Sequence, residues 1–339
     1  MYKKLISSLL LIGSISTYST SEAKEEYRAC LDLKASDKAA FKDCFYLVNN
    51  GFNDAAYQSN LGVMYSTGKG TPQDYKEAIK WYKKAAEQGD ASAQFNLGIM
   101  YYTGESTPQD YKEAAKWYKK SAEQGDVQAQ TNLGFMYSTG KGTAQDYKEA
   151  IKWYKEAAEQ EHAKAQSNLG FMYYTGKGAP QNYKEAIKWY KKAAEQKYAK
   201  AQSNLAFMYY TGKGTPQNYK EAIKWLKKAA EQEHAKAQSN LAFMYYTGKG
   251  TPQNYKEAIK WLKKAAEQGD ASAQFNLGIM YDKGEGTPRD YILAHMWWNI
   301  SASKGNNKTL ESRGLIAKEM TSSQLEEAQI LAAEWVKSH

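Results

Sequence analysis

Two serine–lysine pairs in this chain have a spacing that could support nucleophilic catalysis. Ser66 with Lys69 and Ser301 with Lys304 both match S-x-x-K, the signature of serine β-lactamases and penicillin-binding enzymes. The companion S-D-N and K-T-G motifs are absent, and Ser138 repeats the first match as part of a recurring turn. We therefore expect no enzymatic activity, with a β-lactamase-like hydrolase as the least favoured alternative.

Other reactive patterns are also incomplete. The recurrent Thr-Gly-Lys-Gly segment places Gly142 after Lys141, where a phosphate-binding P-loop requires Ser or Thr. No two histidines stand at metal-ligand spacing, and two cysteines alone make neither a metal site nor a CxxC motif. We expect no metal and no cofactor. The four histidines are His162, His234, His295 and His339.

The elements that must position any functional residue repeat every 36 residues. Residues 199–232 and 235–268 are identical, and the other copies align without insertion. Self-similarity at such a period indicates stacked helical repeats with one long surface. Equivalent positions are Asp90, Asp126, His162, Tyr198, His234 and Asp270.

Each repeat is predicted to be a helical hairpin. In residues 90–125, apolar side chains from Ala93 to Tyr101 follow the period of a helix face, and Gly104 ends that helix. A second helix follows the capping residue Asp110 and ends at Gly125. Such a hairpin cannot bury its apolar stripe alone, so it must stack on its neighbours.

One place in the first helix always holds a small residue. Glycine inside a helix costs about 0.5–1 kcal/mol relative to alanine, so its recurrence indicates close packing. We expect the contact to be with Trp81, Trp117 or Trp153 of the second helix. The small residues are Gly62, Gly98, Gly134, Gly170, Ala206, Ala242 and Gly278.

The pattern Asn96-Leu97-Gly98, Met100-Tyr101 and Trp117-Tyr118 resembles the Sel-one-like repeat (SLR) family, relatives of the tetratricopeptide repeats. The resemblance implies an all-α fold, a right-handed α-solenoid of antiparallel hairpins that acts as a protein-interaction scaffold. We expect seven repeats over residues 54–305.

The N-terminus has the pattern of a secretory signal peptide over residues 1–23. Lys3 and Lys4 precede a short apolar run, and Ser21-Glu22-Ala23 forms a cleavage site. The alternative is an uncleaved anchor. We expect an exported protein, periplasmic or secreted, without a transmembrane segment after cleavage. In that compartment Cys30 and Cys44 would form a disulfide, the alternative being two free buried thiols.

Both ends of the repeat array look like caps. Residues 24–53 would form an N-terminal capping hairpin that contains the cysteine pair. Residues 306–339 would form a C-terminal cap, in which Thr321 and Gln324 make a capping box for a helix that docks on the last repeat.

Three places that vary between repeats share one face of the first helix and could bind a partner. The resemblance implies that this face is concave, which makes an aromatic groove with a lysine rim. The alternative is that the phenylalanines pack between adjacent repeats. The groove residues are Phe135, Phe171, Phe207 and Phe243, then Tyr102, Tyr174, Tyr210 and Tyr246, with Lys164, Lys200 and Lys236 at the rim.

The charge pattern narrows the class of partner. The formal net charge of +9 could favour acidic partners, but mixed-sign helices do not predict nucleic-acid binding. Lys80, Lys83 and Lys84 of the second helix are expected to lie on a solvated convex face. We expect a scaffold for a partner protein or extended peptide; a module that binds cell-wall glycan or muropeptide is the alternative.

The identical copies predict that repeat number can change without loss of the fold. Deletion of residues 199–234 should leave a shorter protein that melts cooperatively, since each repeat contacts only its neighbours. Thermal denaturation followed by circular dichroism tests this, and a broad non-cooperative melt would contradict it.

Overall fold

The computed structural model describes residues 30, 37–105, 107–303, 305 and 307–339, so the expected signal peptide lies outside the described residues. The described residues form seventeen α-helices, one short 3₁₀ turn and no strand, which confirms an all-α solenoid of helical hairpins. The chain divides into two compact units, residues 1–157 and 158–339.

The helices of the first unit alternate between the two arms of each hairpin, after a single capping helix. They are α1 (Asp37–Asn49), α2 (Ala55–Thr67), α3 (Tyr75–Glu87), α4 (Ala91–Thr103), α5 (Tyr111–Glu123), α6 (Val127–Thr139) and α7 (Tyr147–Glu159), whose last two residues belong to the second unit.

The second unit continues the same alternation and ends in two further helices. They are α8 (Ala163–Thr175), α9 (Tyr183–Glu195), α10 (Ala199–Thr211), α11 (Tyr219–Glu231), α12 (Ala235–Thr247), α13 (Tyr255–Glu267), α14 (Ala271–Lys283), α15 (Tyr291–Ser303), α16 (Asn307–Ile316) and α17 (Ser322–Ser338).

Local side-chain chemistry sets the helix boundaries. Asp126 caps α6 by accepting a hydrogen bond from the backbone N–H of Ala129 at 2.7 Å. At the other end of α6, Gly140 adopts a left-handed conformation with φ of 73°. Its N–H bonds the carbonyl of Met136, which satisfies one of the last helical acceptors.

A buried glutamine in each first helix ties neighbouring hairpins together. In α10, the side-chain amide of Gln202 donates to the carbonyl of Ala194 in the preceding repeat at 3.0 Å. Its oxygen accepts from Gln232 at the end of its own second helix at 2.8 Å. The same pair of bonds recurs at Gln94 and Gln238. These bonds fix the register of the hydrophobic stack.

The small residue of each first helix packs against a tyrosine and not against the tryptophan expected from the sequence. A Cβ atom at Gly170 would lie 2.8 Å from the Tyr190 ring, and one at Gly134 equally close to Tyr154. Successive residues of a helix point about 100° apart, so periodicity could not tell which of two adjacent aromatic residues faces the glycine.

Where alanine replaces the glycine, leucine replaces the tyrosine. Ala206 faces a second helix with Leu226 at the tyrosine place, and Ala242 one with Leu262. All four side chains are buried. The two places therefore change together within this chain, as a matched pair of volumes.

Three inter-repeat turns carry unfavourable residues. Glu161, Lys197 and Glu233 have φ values of 61–64°, whereas glycine occupies this left-handed place at Gly125 and Gly269. A non-glycine residue there costs on the order of 1 kcal/mol.

The helices that follow these turns are also poorly capped. His162 and Tyr198 make no side-chain cap hydrogen bond at the starts of α8 and α10. At the start of α12, the ring nitrogen Nδ1 of His234 accepts from Ala237 at 3.2 Å.

Both ends of the described chain are held by additional contacts. Cys30 and Cys44 form a disulfide in the first unit, beside Leu47 and Tyr57. In the second unit, α17 packs on α15 through the buried Ala328 and Ala332. No described helix has the length and apolar character needed to cross a bilayer.

The glycine–tyrosine pairing can be tested by a double-mutant cycle. Gly170→Ala alone should destabilise the protein by about 1–2 kcal/mol, because overpacking against Tyr190 exceeds the gain in helix propensity. Adding Tyr190→Leu reproduces the Ala206–Leu226 combination and should relieve that loss. Urea denaturation of the two single variants and the double variant measures the coupling; strictly additive losses would contradict the steric account.

The strained turns give a second prediction with a matched control. Lys197→Gly should stabilise the protein by about 1 kcal/mol, because glycine adopts a positive φ without strain. Lys191→Gly, at an exposed site within α9, should destabilise it by about 1 kcal/mol. Thermal and urea melts of both variants check the opposite signs, and a stabilising Lys191→Gly would refute this explanation.

Candidate functional site

The aromatic residues of the first helices in the second unit form contacts between successive repeats. Phe207 of α10 meets Tyr174 of α8 edge-on, with ring centroids 6.2 Å apart, and Phe243 meets Tyr210 in the same way at 6.4 Å. These phenylalanines are nevertheless 43% and 45% exposed. Each ring thus uses one edge for packing between repeats and leaves a face open to solvent.

A lysine from the next hairpin turn lies over each aromatic pair. The ammonium of Lys249 lies 5.2 Å from the Tyr210 ring centroid and 5.9 Å from that of Phe243. It donates a hydrogen bond to the Tyr210 hydroxyl at 3.0 Å, and Lys213 does the same to Tyr174. These bonds raise the pKa of both lysines, so both stay protonated on the aromatic surface.

Two pockets open along this face of the second unit. The first has a volume of about 530 Å³ and is lined by Phe207, Tyr210, Leu226, Asn240 and Phe243, among others. The second, of about 540 Å³, shares Phe243 and adds side chains one repeat further on, namely Tyr246, Leu262, Asn276, Ile279 and Lys283. Aromatic walls around a few polar groups are typical of ligand pockets.

The matched alanine–leucine pair explains why both pockets exist. Each is lined by the alanine and the leucine that replace glycine and tyrosine elsewhere. In the first unit the Tyr118 ring fills the corresponding place, and its hydroxyl hydrogen-bonds Asn132. Leucine lacks both the outer part of the ring and the hydroxyl, so the substitution opens space above the asparagine.

The pocket asparagines carry free hydrogen-bonding groups. Asn240 and Asn276 are partly exposed, and their side-chain amides make no hydrogen bond to any described residue. An amide can donate to a carbonyl and accept from an N–H at once. The first repeat contains an example, since the amide of Asn60 donates to the backbone carbonyl of Cys30 at 2.8 Å.

The remaining predicted groove residues occupy several environments. Tyr102 and Phe135 lie in the first unit; Tyr102 packs against Tyr111 under Lys141, and Phe135 is 39% exposed. Phe171 is exposed on α8. Burial, followed by an interaction with Glu285, raises the pKa of Tyr246.

The rim lysines lie at the helix starts. Lys164, Lys200 and Lys236 are exposed in the first turns of α8, α10 and α12, outside both pockets.

The second helices present a solvated surface. Lys228 covers the Trp225 ring at 4.5 Å, and Lys224 pairs with Glu221 at 3.1 Å, a contact repeated in other hairpins. Exposed pairs of this kind contribute little to stability or specificity.

The residues considered for catalysis have structural contacts. The Ser66 hydroxyl donates to the carbonyl of Val63 at 2.9 Å and lies 3.1 Å from the Tyr82 hydroxyl. Among the described residues, no three His, Cys, Asp or Glu side chains converge as metal ligands.

Sequence reasoning missed the pocket asparagines and the hairpin-turn lysines. A detectable signal existed for the asparagines, since this residue has low helix propensity yet occupies the same helix-interior place in every repeat. The places are Asn60, Asn96, Asn132, Asn168, Asn204, Asn240 and Asn276.

Hairpins stacked at a constant spacing, with pockets on the first-helix face, define an α-helical repeat protein of the interaction-scaffold class. The Sel1 repeat model matches seven consecutive segments of the chain: 55–90, 91–126, 127–162, 163–198, 199–234, 235–270 and 271–306. The chain belongs to the Sel1 repeat family, whose members are generally protein-interaction scaffolds and typically non-catalytic.

Solved structures agree with this assignment. A Sel1 repeat protein from Oxalobacter formigenes is 31% identical, with a TM-score of 0.70 over 87% of this chain and 86% of that one. The protein c5321, a protective antigen of uropathogenic Escherichia coli with an SLR fold, is 30% identical. Its TM-score is 0.57 over 90% of this chain and 73% of that one. No curated protein matches the sequence.

Proposed function

We propose that this protein is an exported scaffold and that the first-helix face of its second unit binds an extended segment of a partner protein. The observation that carries the proposal is the pair of adjacent pockets that share Phe243, each with an unpaired asparagine amide. Export is supported by the signal-like N-terminus and by the disulfide between Cys30 and Cys44.

The chemistry of the pockets suits a polypeptide in an extended conformation. Apolar side chains of such a segment would enter between the aromatic walls formed by Phe207, Tyr210 and Phe243. The asparagine amides would bond its backbone, as Asn60 bonds the Cys30 carbonyl. Backbone recognition holds the segment, and the pockets select its side chains.

The local sequence around this face supports a binding role. Glu161, Lys197 and Glu233 occupy strained positions, and His162 and Tyr198 cap their helices poorly. Departures from locally optimal residues are expected at functional sites, where another requirement outweighs stability. All these departures precede α8, α10 and α12, the helices that carry Phe171, Phe207 and Phe243.

Refilling the pockets with the chain's own alternative pair tests this proposal. The quadruple variant Ala206→Gly/Leu226→Tyr with Ala242→Gly/Leu262→Tyr restores the combination found at Gly170 and Tyr190. It should fold normally and lose binding at least about tenfold, because the introduced rings occupy the pockets. Peptides selected from a displayed library of random twelve-residue sequences, measured by fluorescence anisotropy, supply the dissociation constants.

Two controls make the result specific. Leu226→Met preserves side-chain volume and should leave peptide affinity within about threefold. Sedimentation with insoluble peptidoglycan tests the glycan alternative: retention in the pellet that pocket refilling abolishes would replace the protein partner by a glycan. Selected peptides that bind the refilled variant as tightly as the wild type would overturn the proposal.

A further inference from the structure

The positive charge of the chain is concentrated in three consecutive repeats of the second unit. Residues 163–270 contain 19 lysines and 8 acidic residues, a formal net charge of +11. The three repeats before them, residues 55–162, contain 13 lysines and 14 acidic residues, a net charge of −1. An excess larger than that of the whole chain therefore lies in the repeats that carry Phe171, Phe207 and Phe243.

Within these repeats the excess arises on the side that holds the pockets. The first helix and hairpin turn of each repeat, residues 163–182, 199–218 and 235–254, contain two lysines and no acidic residue. The corresponding segments 91–110 and 271–290 have net charges of −2 and −1. The second helices do not account for the excess, since 219–234 and 255–270 each carry +1, as do 75–90 and 111–126.

The excess results from coordinated changes at three places. Lysine replaces serine at the third place of the repeat, and histidine or tyrosine replaces aspartate at the start of the first helix. Asparagine replaces aspartate at the start of the second helix, with the same capping function. The charged or neutralised positions are Lys164, Lys200 and Lys236, then His162, Tyr198 and His234, and finally Asn182, Asn218 and Asn254.

The resulting lysines lie on both sides of the aromatic surface. Lys200 and Lys236 are exposed at the starts of α10 and α12, with no ion pair among the described residues. Lys213 and Lys249 lie over Tyr174 and Tyr210 beside the opposite ends of the same helices. Burial and the positive charge of Lys200 lower the pKa of His234, so that residue adds no cation at neutral pH.

We propose that the segment bound on this face is acidic, so that its carboxylates face the lysines while its apolar side chains occupy the two pockets. This inference rests on the function proposed above and specifies the chemistry of the partner. Complementary charge along an interface accelerates encounter and rejects partners of the wrong sign. An apolar partner would leave the unpaired lysine rows without any role in recognition.

The test uses the full mature protein and the same peptide library, with two variants of equal net charge. The first, Lys200→Ser/Lys236→Ser/Asn218→Asp/Asn254→Asp, restores residue types found at these places in other repeats and touches no pocket residue. The control, Lys227→Glu/Lys263→Glu, removes the same four charges from exposed sites on the second helices.

We expect the wild type to enrich peptides rich in Asp and Glu that also contain apolar residues. Their affinity should fall about tenfold in the first variant and by less than about twofold in the control. Raising the NaCl concentration from 50 to 300 mM should weaken binding to the wild type more than to the first variant.

The outcomes separate the two proposals. Neutral peptides that depend on the pockets but not on the lysines would overturn the acidic partner and leave the proposed function intact. Failure to select any pocket-dependent peptide would remove the proposed function itself. If inorganic polyphosphate binds as tightly and is insensitive to pocket refilling, the lysines form a general polyanion surface and the inference is wrong.

Discussion

The buried glutamine of each first helix is the interaction on which the regular spacing of this protein depends. Hydrophobic stacking of hairpins is favourable but non-directional, and alone it would tolerate sliding between neighbours. A glutamine such as Gln202 has a donor and an acceptor at fixed positions, one satisfied by Ala194 of the preceding repeat and the other by Gln232 of its own. Loss of either partner would leave a buried polar atom unpaired, so only one register is allowed. Gln274, in the last repeat, keeps its oxygen buried and unpaired.

With the backbone spacing fixed in this way, local differences in function come from side-chain volume. The exchange of a glycine–tyrosine pair for Ala206 and Leu226, or for Ala242 and Leu262, needs no change of helix position. It converts a filled contact into a pocket and leaves the asparagine above it without a phenol partner. A scaffold can thus acquire a binding pocket by a change that its own packing already accommodates.

The family and the helical hairpins could be predicted because they depend on periodicity, capping residues and glycine stops, which are local properties of the sequence. The pocket could not, because it depends on which of two adjacent aromatic residues, Trp117 or Tyr118, faces the small residue. The hairpin-turn lysines were missed for a related reason: Lys213 reaches Tyr174 across 39 positions, and no local pattern reports such a contact. The exposed first-helix aromatic residues were visible as a shared helix face, although their mixed role, one edge packed and one face open, was not.

The identity of residues 199–232 and 235–268 has a consequence for how binding strength could evolve. Duplicating this segment copies a complete pocket with its lysines, because the alanine, the leucine and the asparagine all lie within one period. A ligand segment that already occupies one pocket meets the next at a high effective concentration, so each added copy raises avidity without any new contact chemistry. In such an array, the number of repeats sets the affinity and the sequence of one repeat sets the specificity.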